Sequence, residues 1–469
     1  SSAETAAEVV IDGELEFVLH ETQPMVVDAI LRTVVSVDPA EVVWAHSADA
    51  GVQFRWLSSS EDSREHTFRI RGLAPATVHG VSASLQLDSV DGEFTTLAPL
   101  PGYVASLEVE GESLDPDVFR FFDWSSLDQR PGGVMLVDAL GRTRWYWGRT
   151  FVPGEDSVPM GLKLLADGQI AFLRGGSLVI RDELSELTWA LASGAIDQPT
   201  FHHEVIELPT GNLMTLGMEF MVENYGAEGD YLIAGDTLLE FTREGELVWS
   251  WSAFDHLDTQ RVRVGFHTDF PPLIDPDTGE QAKDWSHGNG IEFREEDSLL
   301  VVSFRHLDWV VGIDYPSGDV RWRLGEGGDF DLLGGSWFYH QHSTQWQPDG
   351  SLLLYDNGNG NPNLPETDWR SRAVRYELDV QTMTATQVWE DSNGELQSPA
   401  MSDADRMPSG QYLVTDSTLG FEQLTTLHAQ LREVQEGASP EQGWTVRTEG
   451  GRIVYRAMPT QRWPGDVAP

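Results

Sequence analysis

The chain of 469 residues is 40% hydrophobic and 10% aromatic, so it can bury a large core and is too hydrophobic for a disordered protein. Its 76 acidic residues outnumber 30 basic ones and give a net charge of −46, which makes nucleic acid and anionic lipid poor partners. Cysteine is absent, which excludes disulfides, thiolate metal ligands and a cysteine nucleophile.

The start of the chain, "SSAETAAEVVIDGELEF", lacks the basic residues and the apolar centre of a signal peptide. No run of residues approaches the ~18 consecutive apolar positions of a membrane span. An acidic surface with only two lysines, Lys163 and Lys283, suits salty surroundings in which charge repulsion is screened. We therefore expect a periplasmic or secreted protein without a membrane span, from which a signal or lipoprotein tether has been removed.

Short stretches of alternating apolar and polar residues fill the first hundred residues, among them "GVQFRWL", "HTFRIRGL" and "TVHGVSASLQL". Turn residues separate these stretches at the spacing typical of a β-sandwich. The segment "HTFRIRGLAPATVHGVSASLQL" resembles the end of a fibronectin type III module, with His79 where such modules carry a tyrosine. We predict a fibronectin III-like or Ig-like β-sandwich over residues 1–103, a packing or spacer module without chemistry that ends at the linker "LAPLPG".

A two-part repeat fills the remainder of the chain, residues 104–469. One part is a turn followed by an apolar strand, as in "LPTGNLMTLG" and "QPDGSLLLYDNG". The other is a strand that ends at an aromatic residue, and six such strands occur: "GRTRWYW", "ELTWAL", "GELVWSW", "GDVRWRLG", "TATQVWE" and "GRIVYRA". Repeats of about 45 to 60 residues with four strands each predict a six-bladed β-propeller, in which the tryptophans pack between blades. One stretch, "EQLTTLHAQLREV" (422–434), has helical spacing and is interpreted as an insertion.

The repeats also supply a register for the innermost strands, which line the central channel of a propeller. The residue eight positions before the turn glycine of each unit should lie at one level of this channel. These residues are Met160, His203, His342 and Ser402, with His287 one position off. His340 and His342 are two residues apart, a spacing that places both side chains on one face of an extended chain.

Further polar residues stand next to these positions. Asn289 follows His287 by two in "DWSHGNGIEF", and His202 directly precedes the histidine of the second unit. Arg305 interrupts the apolar run "LLVVSFRHLDWVVGIDY". We predict a pocket at one end of the channel in which several imidazoles, one guanidinium and one amide converge.

Two kinds of chemistry suit such a pocket. Three histidines could hold zinc with water in the fourth place, assisted by Asp284 or Glu204, but no HExxH motif occurs and a neighbouring arginine repels a cation. In the alternative, an arginine offers its planar fork to a tetrahedral oxyanion, and one imidazole acts as the nucleophile because its unshared nitrogen needs no deprotonation. We favour the anion site with group transfer through a histidine adduct, and predict no metal and no cofactor.

These motifs together resemble the bacterial arylsulfate sulfotransferases, which move sulfuryl groups between phenols without an adenylyl-sulfate cofactor. The resemblance rests on "HHEVIELPTGN", "DWSHGN", "SFRHLDWVVGIDYPSGDVRWRLG" and "QHSTQWQPDGSLLLYDNGN". It covers residues 104–469, with the motifs in family order, and a β-sandwich before the propeller also fits the family. One difference concerns a disulfide that enterobacterial members carry before the nucleophile: "GEGGDFDLLGGSWFYHQ" has no cysteine, so we expect a different acceptor range.

The resemblance implies roles for individual residues. The family's transiently sulfurylated histidine falls on His342, and its sulfate-binding arginine falls on Arg305. The first family histidine falls on His203 by register, with His202 left open, and a family hydroxyl falls on Ser402 by register alone. We therefore assign catalysis to His342, His287, His203 and Arg305, and substrate binding to Asn289, His202, Ser402 and His340.

The implied reaction is a ping-pong transfer. His342 attacks the sulfur of an aryl sulfate donor, the phenol leaves with a proton from His287 or His203, and a phenolic acceptor then takes the sulfuryl group. Two alternatives stay open: an aryl sulfate hydrolase that uses the same site, and a non-catalytic propeller that serves as a binding or adhesion module. The sequence leaves the oligomeric state open, a homodimer included.

Overall fold

The computed structural model describes residues 11–34, 36–38, 42–46, 52–57, 64–85, 88–99, 106–126, 131–149, 159–263, 272–391, 396–423, 426–437 and 443–468. In these ranges the architecture is all-β, and the one α-helix is α1 (Ala253–His256), four residues long. Short 3-10 helices occur at Ser193–Ile196, Gly226–Glu228, Arg305–Leu307 and Glu366–Asp368. No helix of the described chain is long and apolar enough to cross a membrane.

Two antiparallel sheets form the N-terminal part. The first has the spatial order β1 (Glu16–Leu19), β2 (Val26–Arg32), β5 (Glu65–Arg71), β4 (Gln53–Trp56), and the second β3 (Val43–His46), β6 (Val78–Leu85), β7 (Asp88–Thr95). Alternate residues of β6 are buried, and Ala83 packs in one hydrophobic cluster with Phe68 of the other sheet. His79 Nε2 lies 2.8 Å from the Ala74 carbonyl oxygen, a backward contact of the kind that a tyrosine makes in immunoglobulin-like folds.

Six further sheets use the rest of the described chain. The first consists of β12 (Met160–Leu164), β13 (Ile170–Arg174), β14 (Ser177–Arg181) and β15 (Leu187–Ala192). The second consists of β16 (His202–Glu207), β17 (Leu213–Asn224), β18 (Asp230–Phe241) and β19 (Leu247–Ser252), with β20 (Lys283–Asp284) beside β18. The third consists of β21 (Gly288–Arg294), β22 (Leu299–Phe304), β23 (Trp309–Asp314) and β24 (Val320–Leu324). The fourth is β26 (His342–Trp346), β27 (Ser351–Asp356), β28 (Arg372–Asp379), β29 (Thr384–Glu390), with β25 (Asp331–Gly334) beside β29.

The last two sheets combine segments from both ends of this region. The fifth is β30 (Asp403–Arg406), β31 (Tyr412–Leu419), β32 (His428–Val434), β33 (Thr445–Thr448), β8 (Leu107–Glu110). The sixth is β11 (Thr143–Arg149), β10 (Gly132–Val137), β9 (Phe119–Ser126), with β34 (Arg452–Ile453) and β35 (Ala457–Thr460) both paired to β9. Because β8 and β35 cross between the two sheets, the start and the end of the region are joined by backbone hydrogen bonds.

The first strands of these sheets contact one another in a cyclic order. β12 contacts β16, β16 contacts β21, β21 contacts β26, and β26 contacts β30. The order continues from β30 to β35 and returns from β9 to β12. Residues at equivalent positions of these inner strands are therefore brought near one another, although they lie far apart in the sequence.

The tryptophans of the repeat pack between neighbouring sheets, as predicted. Trp147 lies against Phe172 of the next sheet with ring centroids 4.9 Å apart, and Trp389 lies against Tyr412 at 4.2 Å. Trp251 shares a buried cluster with residues of the third sheet. The aromatic-ended strands thus mark the outer strand of most units.

Two predictions about local structure are wrong. Residues 428–434 form strand β32, which pairs with β31 on one edge and with β33 on the other. Most of its residues are buried in this sheet, so the helical spacing of its apolar residues does not produce a helix. The segment "GRIVYRA" is also not a strand that ends at its aromatic residue, since Tyr455 lies in no strand. Both β34 and β35 pair with β9, and Tyr455 and Arg456 lie between them. In the fifth sheet, Trp444 directly precedes β33, the fourth of its five strands.

Candidate functional site

Side chains from four sheets meet where the inner strands begin. His203, His287 and His342 come from the second, third and fourth sheets, and Tyr455 comes from the segment that completes the sixth. The ring centroids are 4.7 Å apart for His203 and His287, 6.4 Å for His203 and His342, and 5.1 Å for His342 and Tyr455. We call these four residues the histidine cluster. The structure thus brings together the three histidines predicted to act in catalysis, and adds a tyrosine.

An irregular step at the start of several inner strands aims these side chains. The pairing register shifts at this step in β12, β16, β21 and β26. Left-handed backbone occurs here at Gly161 (φ 65°), His203 (φ 62°), His287 (φ 50°), Ser343 (φ 53°) and Ser402 (φ 83°). Such bulges redirect side chains, and left-handed non-glycine residues concentrate at functional sites. Counted from the turn glycine, Val205 and Thr344 are equivalent, since each pairs with the residue four positions after that glycine, and the preceding histidines His203 and His342 both lie in the cluster.

His342 is 2% exposed, and its Nδ1 lies 2.7 Å from the main-chain oxygen of Ser402. Because a carbonyl can only accept, Nδ1 carries the proton, and a neutral ring then holds its lone pair on Nε2. Burial, aided by the positive charge of Arg456, holds the pKa of His342 well below its usual range. The ring is thus a neutral imidazole with an unprotonated nitrogen at neutral pH.

Ser402 was predicted to bind substrate through its hydroxyl. That hydroxyl lies 2.9 Å from the Ser398 hydroxyl and accepts the backbone N–H of Ser417 at 3.1 Å. The contribution of Ser402 that the structure shows is its carbonyl, which fixes the tautomer of His342.

The adjacent histidines His202 and His203 occupy different layers. His202 Nε2 lies 3.0 Å from the carbonyl oxygen of Gly217, and its Nδ1 lies 2.8 Å from Nδ1 of His203. If His202 donates to the carbonyl, its Nδ1 accepts the proton of His203 Nδ1, which leaves His203 Nε2 unprotonated. Burial lowers the pKa of both rings, and the neighbouring His287 lowers that of His203 further. His203 therefore belongs to the histidine cluster, and His202 holds the ring of His203 through the contact between their Nδ1 atoms.

A chain of hydrogen bonds connects His287 to Arg305. His287 Nδ1 donates to the Asp284 carboxylate, and His306 Nδ1 donates to the Asp284 carbonyl at 3.0 Å. Arg305 Nη1 donates to His306 Nε2 at 2.9 Å, and Nη2 donates to the carbonyl of Pro399 at 3.0 Å. His306 thus connects Asp284 to Arg305 and fixes the guanidinium next to the cluster.

Asn289 is fully buried. Its amide nitrogen donates to the carbonyl of Gln341 at 2.9 Å, and its side-chain oxygen has no hydrogen-bond partner among the described residues. The Asn289 main-chain oxygen accepts a hydrogen bond from Arg456, whose other terminal nitrogen donates to Glu204. The predicted substrate-binding role of Asn289 stays a prediction.

His340 lies farther from the cluster. Its φ is 49° and β26 begins only at His342, so the rule for alternation in an extended chain does not apply to this pair. The backbone N–H of His340 donates to Asp308 at 2.7 Å, and its ring lies 5.6 Å from that of His306. With its amide oxygen turned inward, Asn359 lies 3.3 Å from both His340 Nδ1 and Arg305 Nη2.

Sequence reasoning missed Tyr455, Arg456 and Asn359. The hydroxyl of Tyr455 is buried and has no hydrogen-bond partner in the described part of the chain, and burial raises the pKa of this phenol. The backbone N–H groups of Tyr455 and Arg456 both donate to Asp123, which fixes the segment. The signal that the sequence offered was an arginine directly after a tyrosine in "VYRA".

One group of described residues, Asp284, His287 and His306, has the composition of a metal site, with ligand atoms within 4.8 Å of one another. Those atoms are already engaged in hydrogen bonds within the group. Arg305 adds a positive charge directly on His306. The group therefore fits proton sharing and positioning better than a cation. Neutral imidazoles flanked by Arg305 and Arg456 suit an oxyanion.

A protein-family model described as arylsulfotransferase (ASST) matches residues 117–456. The chain is 25% identical to arylsulfate sulfotransferase AssT of Escherichia coli and 24% identical to AssT of Lelliottia amnigena. Each alignment covers 55% of this chain and 52% of the relative, so the chain spans about half the length of the curated relatives it matches. A protein of unknown function from Bacteroides caccae is 11% identical with a TM-score of 0.45, over 74% of this chain and 100% of that one, a likeness too low to carry a conclusion.

Proposed function

The chain belongs to the arylsulfotransferase family, and on this premise we propose that it moves a sulfuryl group from a phenolic sulfate ester to a phenolic acceptor. The transfer uses no adenylyl-sulfate cofactor and passes through a sulfohistidine. The observation that carries the proposal is the state of His342, a buried neutral imidazole whose proton is held on Nδ1 by the Ser402 carbonyl. Its Nε2 is thereby ready for nucleophilic attack.

In the first half of the reaction, His342 Nε2 attacks the sulfur of the donor. The N–S bond forms as the bond between sulfur and the aryl oxygen breaks, and the leaving phenolate takes a proton from His287. Asp284 accepts the Nδ1 proton of His287 and balances the positive charge of the protonated ring. His203, whose pKa is lowered by burial, stays neutral next to His287.

The sulfuryl oxygens are bound by positive charge and by hydrogen-bond donors. Arg305 is fixed by His306 and by the Pro399 carbonyl, so its guanidinium is oriented before the donor arrives. The buried Tyr455 hydroxyl is a further donor next to His342. Preorganised donors of this kind stabilise charge that develops during transfer.

In the second half, an acceptor phenol occupies the position of the first. It gives its proton to the deprotonated His287 and attacks sulfur, so that the N–S bond breaks and His342 returns to its neutral form. This reversal of the first half defines a ping-pong mechanism.

We extend the proposal to architecture and location. The cyclic order of the inner strands supports a six-bladed propeller over residues 104–469, and the shared core of the first two sheets supports a fibronectin III-like or Ig-like sandwich over residues 1–103. We propose a periplasmic or secreted location, for which the acidic composition is the support.

The test is to mix the protein with 4-nitrophenyl sulfate and to follow nitrophenolate with and without phenol. Release that depends on phenol supports a transferase, and release without phenol identifies a hydrolase. His342→Asn should abolish the release, whereas His256→Asn, which removes an exposed imidazole, should not. Silence of the wild-type protein with several donors would favour a binding module and contradict the proposal.

A further inference from the structure

A polar cavity of about 630 Å³, which we call the rear cavity, lies at the far end of the strands that carry the histidine cluster. Its wall includes Leu208 and Gly211, which belong to the turn after β16, whereas His203 lies at the start of that strand. Ionisable residues line the cavity, among them Lys163, Glu204, Glu292, Asp403, Asp405, Arg456 and Arg462. Such a polar, open cavity holds water.

The layer between this cavity and the histidine cluster is thin. Glu204 and Ser343 line the cavity, and each directly follows a histidine of the cluster in the sequence. Arg456 lines the cavity as well, and the residue before it, Tyr455, has its ring 5.1 Å from that of His342.

Arg456 closes this layer by spanning two strands. One terminal nitrogen donates to the Glu204 carboxylate of β16, and the other donates to the main-chain oxygen of Asn289 in β21. Arg456 is 8% exposed and Glu204 is 2% exposed. The ion pair is thus buried and fills the gap between two inner strands and the C-terminal segment. We call Arg456 and Glu204 the floor pair.

We propose that the floor pair keeps the water of the rear cavity away from the sulfuryl group on His342, and thereby selects a phenol over water as the acceptor. This inference rests on the proposed function. Exclusion of water from a site protects a reactive intermediate from hydrolysis. In the reaction that is suppressed, a water oxygen attacks sulfur, the N–S bond to His342 Nε2 breaks, sulfate leaves, and the imidazoles take up the proton of water.

The floor pair has to be changed as a pair. Removal of Arg456 alone would take from the buried Glu204 carboxylate its hydrogen-bonded partner and leave only Lys163, whose Nζ lies 3.6 Å from Glu204 Oε1, which is destabilising. The double variant Arg456→Met with Glu204→Gln removes both charges and retains much of the side-chain volume. Arg462→Met is the matched control, because Arg462 lines the same cavity but donates to carbonyls of Leu165 and Asp466 away from the cluster.

The experiment measures the partition between inorganic sulfate and phenyl sulfate, formed from 4-nitrophenyl sulfate at one fixed phenol concentration. This ratio does not depend on how much of the protein is active, so a merely structural role would leave it unchanged. We expect the ratio of sulfate to phenyl sulfate to rise roughly tenfold or more in the double variant and to stay at the wild-type value in Arg462→Met.

An unchanged ratio in a folded double variant would overturn the role of the floor pair while leaving the sulfotransferase proposal intact. If the wild-type protein forms neither product, the proposed function itself fails. Should the double variant not fold, Arg456→Lys replaces it, since lysine keeps the charge near Glu204 but cannot bridge both strands with one planar fork. A ratio for Arg456→Lys equal to that of the wild type would equally refute the inference.

Discussion

Replacing His342 with asparagine tests how completely the imidazole is withdrawn from water. Asparagine keeps an N–H donor close to the position of Nδ1, so the hydrogen bond to the Ser402 carbonyl can persist. The substitution removes the only titrating group of that side chain. Its effect on stability should therefore depend on pH.

The magnitude follows from the direction of the pKa shift. The pKa of His342 is held well below the model-compound value of 6.5 by burial, so unfolding takes up a proton when the pH lies between the two values. Stability from this group is fully present above pH 6.5 and is lost as the pH falls below it. Between pH 7.5 and pH 5.5 this residue should cost the wild-type protein about 1.4 kcal/mol in the free energy of unfolding. His342→Asn lacks this loss.

Urea unfolding of both proteins at pH 7.5 and pH 5.5 measures the effect. His202 and His203 are present in both proteins, and burial, the largest cause of their lowered pKa values, acts in both, so most of their contribution cancels in the difference. The gap in stability should shift by about 1.4 kcal/mol in favour of the variant at the lower pH. His256→Asn, which removes an exposed imidazole, gives the background. A gap that stays constant with pH would refute the burial of a neutral imidazole.

Three further predictions concern the site and the rear cavity. Tyr455→Phe removes a buried hydroxyl without a described partner, so kcat for 4-nitrophenyl sulfate should fall by about a hundredfold while the urea midpoint does not fall; an unchanged kcat would contradict the donor role. Arg305→Lys replaces a planar fork by a point charge, and kcat/KM for the donor should fall by about ten- to a hundredfold; equal values would argue against contact with sulfate. Burial raises the pKa of Glu292 to about 8, so stability is lost as the pH rises from about 4.5 to about 8. Glu292→Gln should lack this loss, and parallel urea midpoints of the two proteins at pH 6 and pH 9 would exclude it.

The all-β architecture and the unit boundaries could be predicted because their signals are local. A turn glycine followed by apolar residues, and a strand ending at tryptophan, identify β13, β17, β27 and β29 without knowledge of their neighbours. His203 and His342 could be located for the same reason, since each stands eight residues before a turn glycine, and His287 stands one position off this register. Residues 422–434 were misassigned because β32 is buried on both faces, so its sequence lacks the alternation of apolar and polar residues that identifies a strand.

The remainder of the site depends on long-range contacts. Tyr455 and Arg456 reach the histidine cluster only because β35 pairs with β9, more than 300 residues earlier in the chain, and Asp123 holds their backbone. The bulges at the start of the inner strands also could not be predicted, because nothing in the side chain of Ser343 indicates a φ of 53°.

The most direct test of the central claim is the detection of a sulfuryl adduct. The protein is mixed with 4-nitrophenyl sulfate in the absence of phenol, digested at neutral to alkaline pH, and mapped by mass spectrometry. The account predicts an acid-labile sulfuryl group on the peptide that contains His342, which disappears when phenol is added before digestion. Turnover without any adduct, or an adduct on a different residue that discharges to phenol, would contradict it.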